Sequence, residues 1–209
     1  MAVPPVPSPF PEPGTHIWDV SDTIFRVFDH GYGSAQYNPT GVSRRFRPVL
    51  DAGAIVPTVY GSNAKDGAIC EPVFHDVDFT APSASILHAD LVTQLLAPIV
   101  ATRDLRLAAL TDPHVKRLKV THEEIIETHA VEYPATAQWG QAIYEHPAEF
   151  DGIIWHSRQH HATLTVMLWE PRAGTLQSAS TAPAQPLFVG AGYDRVLELS
   201  SAMDVAVIP

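Results

Sequence analysis

Cysteine is all but missing from this 209-residue chain, where Cys70 stands alone. One thiol can form no intrachain disulfide and no multi-cysteine metal site, and a reducing, cytoplasmic setting follows as the default. Positive charge is also scarce. Thirteen Lys and Arg face 23 Asp and Glu, a formal net charge of −10. That balance argues against direct nucleic-acid binding, which needs a basic footprint. No apolar run reaches the length of a membrane span, and MAVPPVPSPFPEPG has neither the basic flank nor the apolar core of a signal peptide, so no membrane contact is expected. The chain has no GxGxxG turn, no HExxH pair and no GxSxG elbow. These absences remove the Rossmann, zincin and α/β-hydrolase readings in their usual form.

What is present fits a soluble globular protein: 45% hydrophobic and 17% charged residues, enough for one substantial core. Residues 1–14 are proline-rich and read as an extended arm that frays or straps a partner. Residues 15–209 read as a single domain. The segment IFRVF around Arg26 has strand character, and an arginine there is either an edge residue reaching solvent or one aimed into a polar pocket, the segment alone favouring the first. HGYGSAQYNPTG is a loop. Gly53–Tyr60 reads as a short buried strand, followed by a helix from Ser62-Asn63 whose apolar face includes Ala68, Ile69 and Val73. Pro82–Val100 is ambiguous: Leu91, Leu95 and Leu96 fit a helix, while Pro98 and the Val/Ile content oppose one.

Further on, Leu105–Leu110 reads as a strand, and Thr111-Asp112-Pro113 as the start of a short helix. Thr121–Glu124 has capping-box spacing, and Tyr133–Tyr144 reads as an amphipathic helix with Ala135, Trp139 and Ile143 inward. Strands are expected at Ile153–Trp155, Ala162–Trp169, Arg195–Leu199 and Val205–Ile208. The pattern is α+β with strands that need not be parallel.

Chemistry concentrates in Gly41–Asp76. Arg44, Arg45 and Arg47 crowd three guanidinium groups that suit a phosphate or carboxylate, Tyr60 offers a flat stacking face, and Glu71 is a lone acid among apolar neighbours. A buried acid needs a partner, and the arginines are the obvious candidates. His156, His160 and His161 invite a zinc reading, but strand character before them and the missing glutamate leave solvent-facing loop histidines as the better one. Ser157, in WHSRQ, lacks the glycines of a nucleophile elbow and fits a hydrogen-bonding role or a strand-end cap. Cys70 reads as core packing.

In their order along the chain these segments resemble the RES domain family, the toxin halves of bacterial RES–Xre toxin–antitoxin modules. IFRVF with Arg26 is similar to the family's first strand. Arg45-Phe46-Arg47-Pro48 resembles its arginine–aromatic–x–proline segment, and Tyr60, Ala68 and Glu71 resemble its tyrosine–alanine–glutamate segment. Tyr133–Tyr144 is similar to the helix before the last motif, and GIIWHSR, residues 152–158, to the terminal glycine–strand–serine–arginine motif. The likeness runs from about Ile17 to Trp169. It departs at Gly61, where an aliphatic residue is common, and at His156, where proline is common.

The resemblance implies an ADP-ribosyltransferase-like fold, with mixed and antiparallel sheets flanked by helices, that cleaves the nicotinamide–ribose bond of NAD by hydrolysis or phosphorolysis. Inorganic phosphate is then a co-substrate in one alternative, and no metal or other cofactor is required. Catalytic roles fall on Glu71, Arg45, Tyr60 and Ser157, and NAD binding on Arg26, Arg45, Arg47, Tyr60 and Ser157. An Xre-type antitoxin would cover the site, and homodimerisation stays open. Two alternatives remain: ADP-ribosylation of a protein target, and a catalytically silent NAD-binding or partner-binding module. The residues' own chemistry agrees with the first reading. A carboxylate near the ribose stabilises an oxocarbenium-like state, guanidinium groups clamp a pyrophosphate, a tyrosine face stacks on nicotinamide, and Ser157 can fix a ribose hydroxyl or the amide.

Overall fold

The computed structural model describes residues 2–209 and is built on one large mixed sheet. In chain order the elements are β1 (Gly14–Trp18), β2 (Ile24–Asp29), the short ribbon β3 (Leu50–Asp51) and β4 (Ala54–Ile55), β5 (Thr58–Ser62) and α1 (Lys65–Val73). β6 (Ser85–Leu87), β7 (Gln94–Ala101), β8 (Leu105–Ala109), α2 (His122–Ile125) and α3 (Tyr133–Tyr144) follow. The chain ends with β9 (Gly152–His156), β10 (Leu164–Trp169), α4 (Glu170–Ala173), β11 (Leu176–Ser178), β12 (Gln185–Pro186), α5 (Gly190–Ala202) and β13 (Ala206–Ile208). The large sheet runs β1-β8-β9-β10-β5-β2-β7-β11, with β12 also on β7. Within it only β8 and β9 pair in parallel; the other pairings are antiparallel. A parallel pair needs a crossover, and here the crossover carries α3. The α+β reading with mixed strands is therefore right.

Side-chain alternation sorts the sheet's two faces. Ile153, Trp155, Met167 and Trp169 pack with Phe46, Trp139 and Ile143 under α3. Ile154, Val166 and Leu168 point the other way, onto Trp18, Val59 and Leu107. A third cluster joins α1 and α5 through Ile69, Cys70, Val196 and Leu199, with Phe25 and Val27 of β2 against it. Cys70 is core packing, as read. No helix among the described residues is long and apolar enough to cross a membrane.

Local signals held best. The Thr121 capping box forms in both directions, Glu124 N to Thr121 Oγ1 at 3.3 Å and Thr121 N to Glu124 Oε2 at 2.8 Å, and α3 spans Tyr133–Tyr144 as read. Two expectations are corrected and one open reading is settled. Arg195–Leu199 lies inside helix α5, not in a strand. Leu95 and Leu96 belong to strand β7, which takes in Pro98 opposite Phe25. The proline-rich arm does not fray: Val3, Val6 and Phe10 pack on the α3 core, and Trp139 Nε1 donates to the Pro4 carbonyl at 2.9 Å.

Two glycines make close approaches possible. A Cβ on Gly61 would sit 2.9 Å from the Phe25 carbonyl oxygen, so this departure from the aliphatic pattern lets β2 press against β5. A Cβ on Gly140 would fall 2.2 Å from the Phe46 carbonyl oxygen, which is how α3 seats the arginine-rich turn. On a free helix face Gly→Ala stabilises by about 1 kcal/mol. Here Gly140→Ala is expected to lower the thermal midpoint; an unchanged or raised midpoint would refute the close seating.

Candidate active site

A cleft of about 660 Å³ is lined by residues of four neighbouring strands, β9, β10, β5 and β2. That volume lies within the range of small-molecule pockets. Its floor takes Arg26 from β2, Thr58 and Tyr60 from β5, Thr165 from β10 and Trp155 from β9. Glu71 on α1 forms one wall, and Arg44, Arg45, Arg47 and Tyr133 form the other.

Glu71 is fixed from behind. Its Oε1 accepts from Ser157 Oγ at 2.6 Å and from the Arg158 backbone N–H at 2.8 Å. Ser157 is fully buried at the end of β9, and its Oγ also accepts from His160 N at 3.0 Å. Sequence reasoning offered the arginines as partners for the acid; the partners are instead a hydroxyl and an amide. Ser157 does not line the cleft. Its hydroxyl is engaged with Glu71, so the expectation that it reaches a ribose hydroxyl or an amide gives way to a supporting position.

The arginines sit on a turn closed by Arg44 N to Arg47 O at 3.3 Å and Arg47 N to Arg44 O at 3.1 Å. Between them Phe46 has φ of +65°, left-handed backbone that costs a non-glycine residue about 1–2 kcal/mol. Burial of the ring offsets it: Phe46 is fully buried, edge-on to Trp155 at 5.3 Å. Tyr60 adds a clamp, its hydroxyl donating to the Arg45 carbonyl at 2.5 Å. Burial pushes the Tyr60 phenol pKa well up, so the hydroxyl stays a donor. Tyr60 lies in mid-strand rather than at a strand end, with its ring edge-on to Trp155 at 6.3 Å.

Three of the guanidinium groups are buried: Arg26 is 6% exposed, Arg45 4% and Arg47 3%. Each is held by neutral oxygens. Arg26 Nη1 donates to the carbonyls of Ser34 at 2.7 Å and Gln36 at 2.6 Å. Arg45 reaches Thr128 Oγ1 at 3.4 Å and Thr128 O at 3.3 Å, over the Tyr133 ring at 5.8 Å. Arg47 donates to the Thr40 carbonyl. None of the three pairs with a carboxylate among the described residues. Burial pulls the Arg26 pKa down to about 10 and lowers that of Arg47. Arg26, for which the strand segment alone favoured a solvent-facing edge over a polar pocket, is buried and lines the cleft. A pocket with buried, unneutralised guanidinium groups is built for an anion.

Other side chains at the site escaped sequence reasoning. Tyr133 is buried on the wall, and its hydroxyl lies 2.5 Å from His75 Nε2, whose Nδ1 is 2.7 Å from Asp76 Oδ1. Arg158 donates from Nη1 to Thr128 O at 3.0 Å, tying β9's end to the segment that holds Arg45. The motif GIIWHSR contained Arg158, but nothing in it marked the backbone N–H as the group that matters. His122 and His161 lie near Glu127, with the His156 ring 6.5 Å from that of His122, yet among the described residues no three or more His, Cys, Asp or Glu side chains are grouped to hold a metal ion.

The sheet order and cleft define an α+β protein whose cleft sets arginines against one glutamate. The RES domain model matches residues 17–189, and the chain belongs to the RES domain family. The fold is similar to that in the crystal structure of the M. tuberculosis MbcT–MbcA toxin–antitoxin complex, with a TM-score of 0.58 at 17% identity over 80% of this chain and 85% of that one. None of the curated proteins matches the chain.

Removing the Ser157 hydroxyl leaves a carboxylate oxygen and the His160 N–H short of a partner, a loss of about 1–3 kcal/mol. Ser157→Ala is expected to lower the urea midpoint accordingly with the slope unchanged. A midpoint equal to wild type would show that the Glu71 clasp contributes nothing to the fold.

Proposed function

We propose that this chain is an NAD-consuming enzyme with an ADP-ribosyltransferase-like fold, acting as the toxin of a toxin–antitoxin pair. The observation that carries the reading is the opposition of buried Arg26, Arg45 and Arg47, without carboxylate partners, to one immobilised carboxylate, Glu71, across a common cleft. A pyrophosphate neutralises the arginines and offsets the cost of keeping them charged in low dielectric. Glu71 then faces the ribose. As the nicotinamide–ribose C–N bond breaks, nicotinamide leaves with the bonding electrons, and positive charge grows on C1′ and the ring oxygen, where a carboxylate stabilises it. Oε1 is held by Ser157 and Arg158 and Oε2 has no protein partner among the described residues, so the carboxylate needs little reorganisation when the charge develops. Tyr60 supplies a ring face for nicotinamide, and Ser157 acts through Glu71 rather than on substrate.

Water or inorganic phosphate completes the reaction by adding to C1′ and releasing a proton to solvent. The RES family membership and the fold shared with a toxin–antitoxin complex support an Xre-type antitoxin as partner, covering the cleft.

Purified protein free of antitoxin is expected to deplete NAD, giving ADP-ribose in phosphate-free buffer or its 1″-phosphate in phosphate buffer, as chromatography of the products will show. Glu71→Gln and Arg45→Ala should each lower the rate about a hundredfold or more. NAD left intact by folded protein in both buffers overturns the proposal, and label ending on a macromolecule selects protein ADP-ribosylation instead. Binding is checked separately. ADP-ribose at a hundred times its Kd should stabilise the fold by about 2.7 kcal/mol, and Arg26→Met should remove most of that shift.

A further inference from the structure

β2 and β5 share a single register pair, Phe25 with Ser62, whereas β2 and β7 share six. Past Phe25 the ladder between β2 and β5 ends, and residues of both strands line the cleft from there on. Register then ranks the cleft's groups along its length. Glu71 stands at the first end, because Ser157, which holds it, bonds through its N–H to the Thr163 carbonyl, two residues short of the Thr165–Ser62 pair. Tyr60, which grips the arginine turn through the Arg45 carbonyl, lies two residues from Ser62 on the other side of that pair. Asp29 is four residues beyond Phe25 on β2, about 13 Å further along in the same direction. The cleft thus offers a carboxylate, then the arginine turn, then a second carboxylate.

That second end is a locked turn. Asp29 Oδ1 accepts from the Gly31 N–H at 2.8 Å, and Asp29 O from the Tyr32 N–H at 2.9 Å. The Gly31 amide and the Thr93 hydroxyl lower the Asp29 pKa, so the group is a carboxylate at neutral pH. Asp29 is exposed and makes no salt bridge among the described residues. Arg26 holds the same loop through the Ser34 and Gln36 carbonyls, and Gln36 Oε1 accepts from the Gly33 N–H at 3.0 Å. Asp29 and the partly buried Tyr32 both line the cleft.

We infer that this turn receives the adenosine of the dinucleotide, Asp29 accepting from the ribose 2′- and 3′-hydroxyls and Tyr32 stacking on the adenine, so that the cleft selects NAD over NADP. This rests on the NAD reading above. The order of groups matches the order of the ligand: nicotinamide ribose at Glu71, pyrophosphate at the arginine turn, adenosine at Asp29. A 2′-phosphate removes one of the two donors and sets charge of the same sign against Asp29. Specificity follows from that repulsion as much as from the bonds formed. The adenine needs only a flat partner, which the Tyr32 ring supplies.

The test compares NAD with NADP, which adds the 2′-phosphate, and with nicotinamide mononucleotide, which lacks the adenosine. Wild type is expected to favour NAD over NADP in kcat/KM by about tenfold or more. Asp29→Asn removes the charge while keeping an oxygen for the Gly31 N–H, and it should lose most of that preference. Tyr32→Ala should lower kcat/KM for NAD about five- to a hundredfold, and that for the mononucleotide by much less. Tyr32→Phe should keep most of the wild-type value. Calorimetry with AMP and adenosine 2′,5′-bisphosphate reads the subsite without turnover: wild type should prefer AMP, and Asp29→Asn should not. Melting curves report whether each variant folds. If wild type consumes NAD and NADP alike, or Asp29→Asn keeps the wild-type preference, the subsite is wrong and the NAD reading stands. AMP bound with that preference but no NAD consumed keeps the subsite and ends the reading of an NAD-consuming enzyme. If wild type neither consumes NAD nor binds AMP, both fall. Should Tyr32→Ala fail to fold, the Asp29 series still decides.

Discussion

The contact on which the rest of the site depends is the clasp of Glu71 by the Ser157 hydroxyl and the Arg158 amide. It joins helix α1 to the end of β9, two elements separated by more than half the sequence between Arg26 and Trp169. With Glu71 held, α1 becomes a wall of the cleft and not merely a cover for the sheet. The strand-end position matters: past His156 the backbone leaves the ladder, which frees the Arg158 N–H to bond a side chain. Arg158 then uses its guanidinium to hold Thr128, the same residue that Arg45 touches. One short segment therefore sets the spacing between the acid and the arginines.

A second constraint works from the opposite wall. Phe46 adopts left-handed backbone, and the strain is tolerable only because its ring is fully buried against Trp155. The arginines flank a hydrophobic anchor, so their positions are fixed by packing and not by ion pairs. That arrangement leaves their charge available. Had a carboxylate been present to neutralise them, the fold would gain a salt bridge and the cleft would lose its attraction for an anion.

Where the sequence could be read, the signals were local. The capping box at Thr121 and the helix Tyr133–Tyr144 depend on residues a few positions apart, and both formed as expected. Arg195–Leu199 misled because Val196, Leu197 and Leu199 look like a short apolar strand in a window of five residues, too narrow to show the helical period. Across Gly190–Ala202 the buried Val196, Leu199 and Ser200 follow helical spacing. β7 stayed ambiguous for another reason: it is flanked by β2 on one side and β11 and β12 on the other, so its apolar residues do not alternate cleanly. The six residues singled out for chemistry do converge, five lining the cleft and Ser157 bonded behind Glu71. What no spacing rule could supply was who bonds whom. Arg26 turned inward because loop carbonyls at Ser34 and Gln36 await it.

The order of strands in the large sheet has a consequence for the protein during its own synthesis. β1 pairs with β8, β2 with β7 and β5 with β10, so early strands wait for late ones. The cleft floor needs Arg26 and Tyr60 from the first part of the chain and Trp155 and Thr165 from the last. A ribosome delivers these in sequence, at roughly 5–20 residues per second. Until the end of β9 has emerged Glu71 has no clasp, and until β10 follows the floor is incomplete. The nascent chain therefore carries every arginine of the site long before it has a site, and a product truncated before Leu164 has none at all.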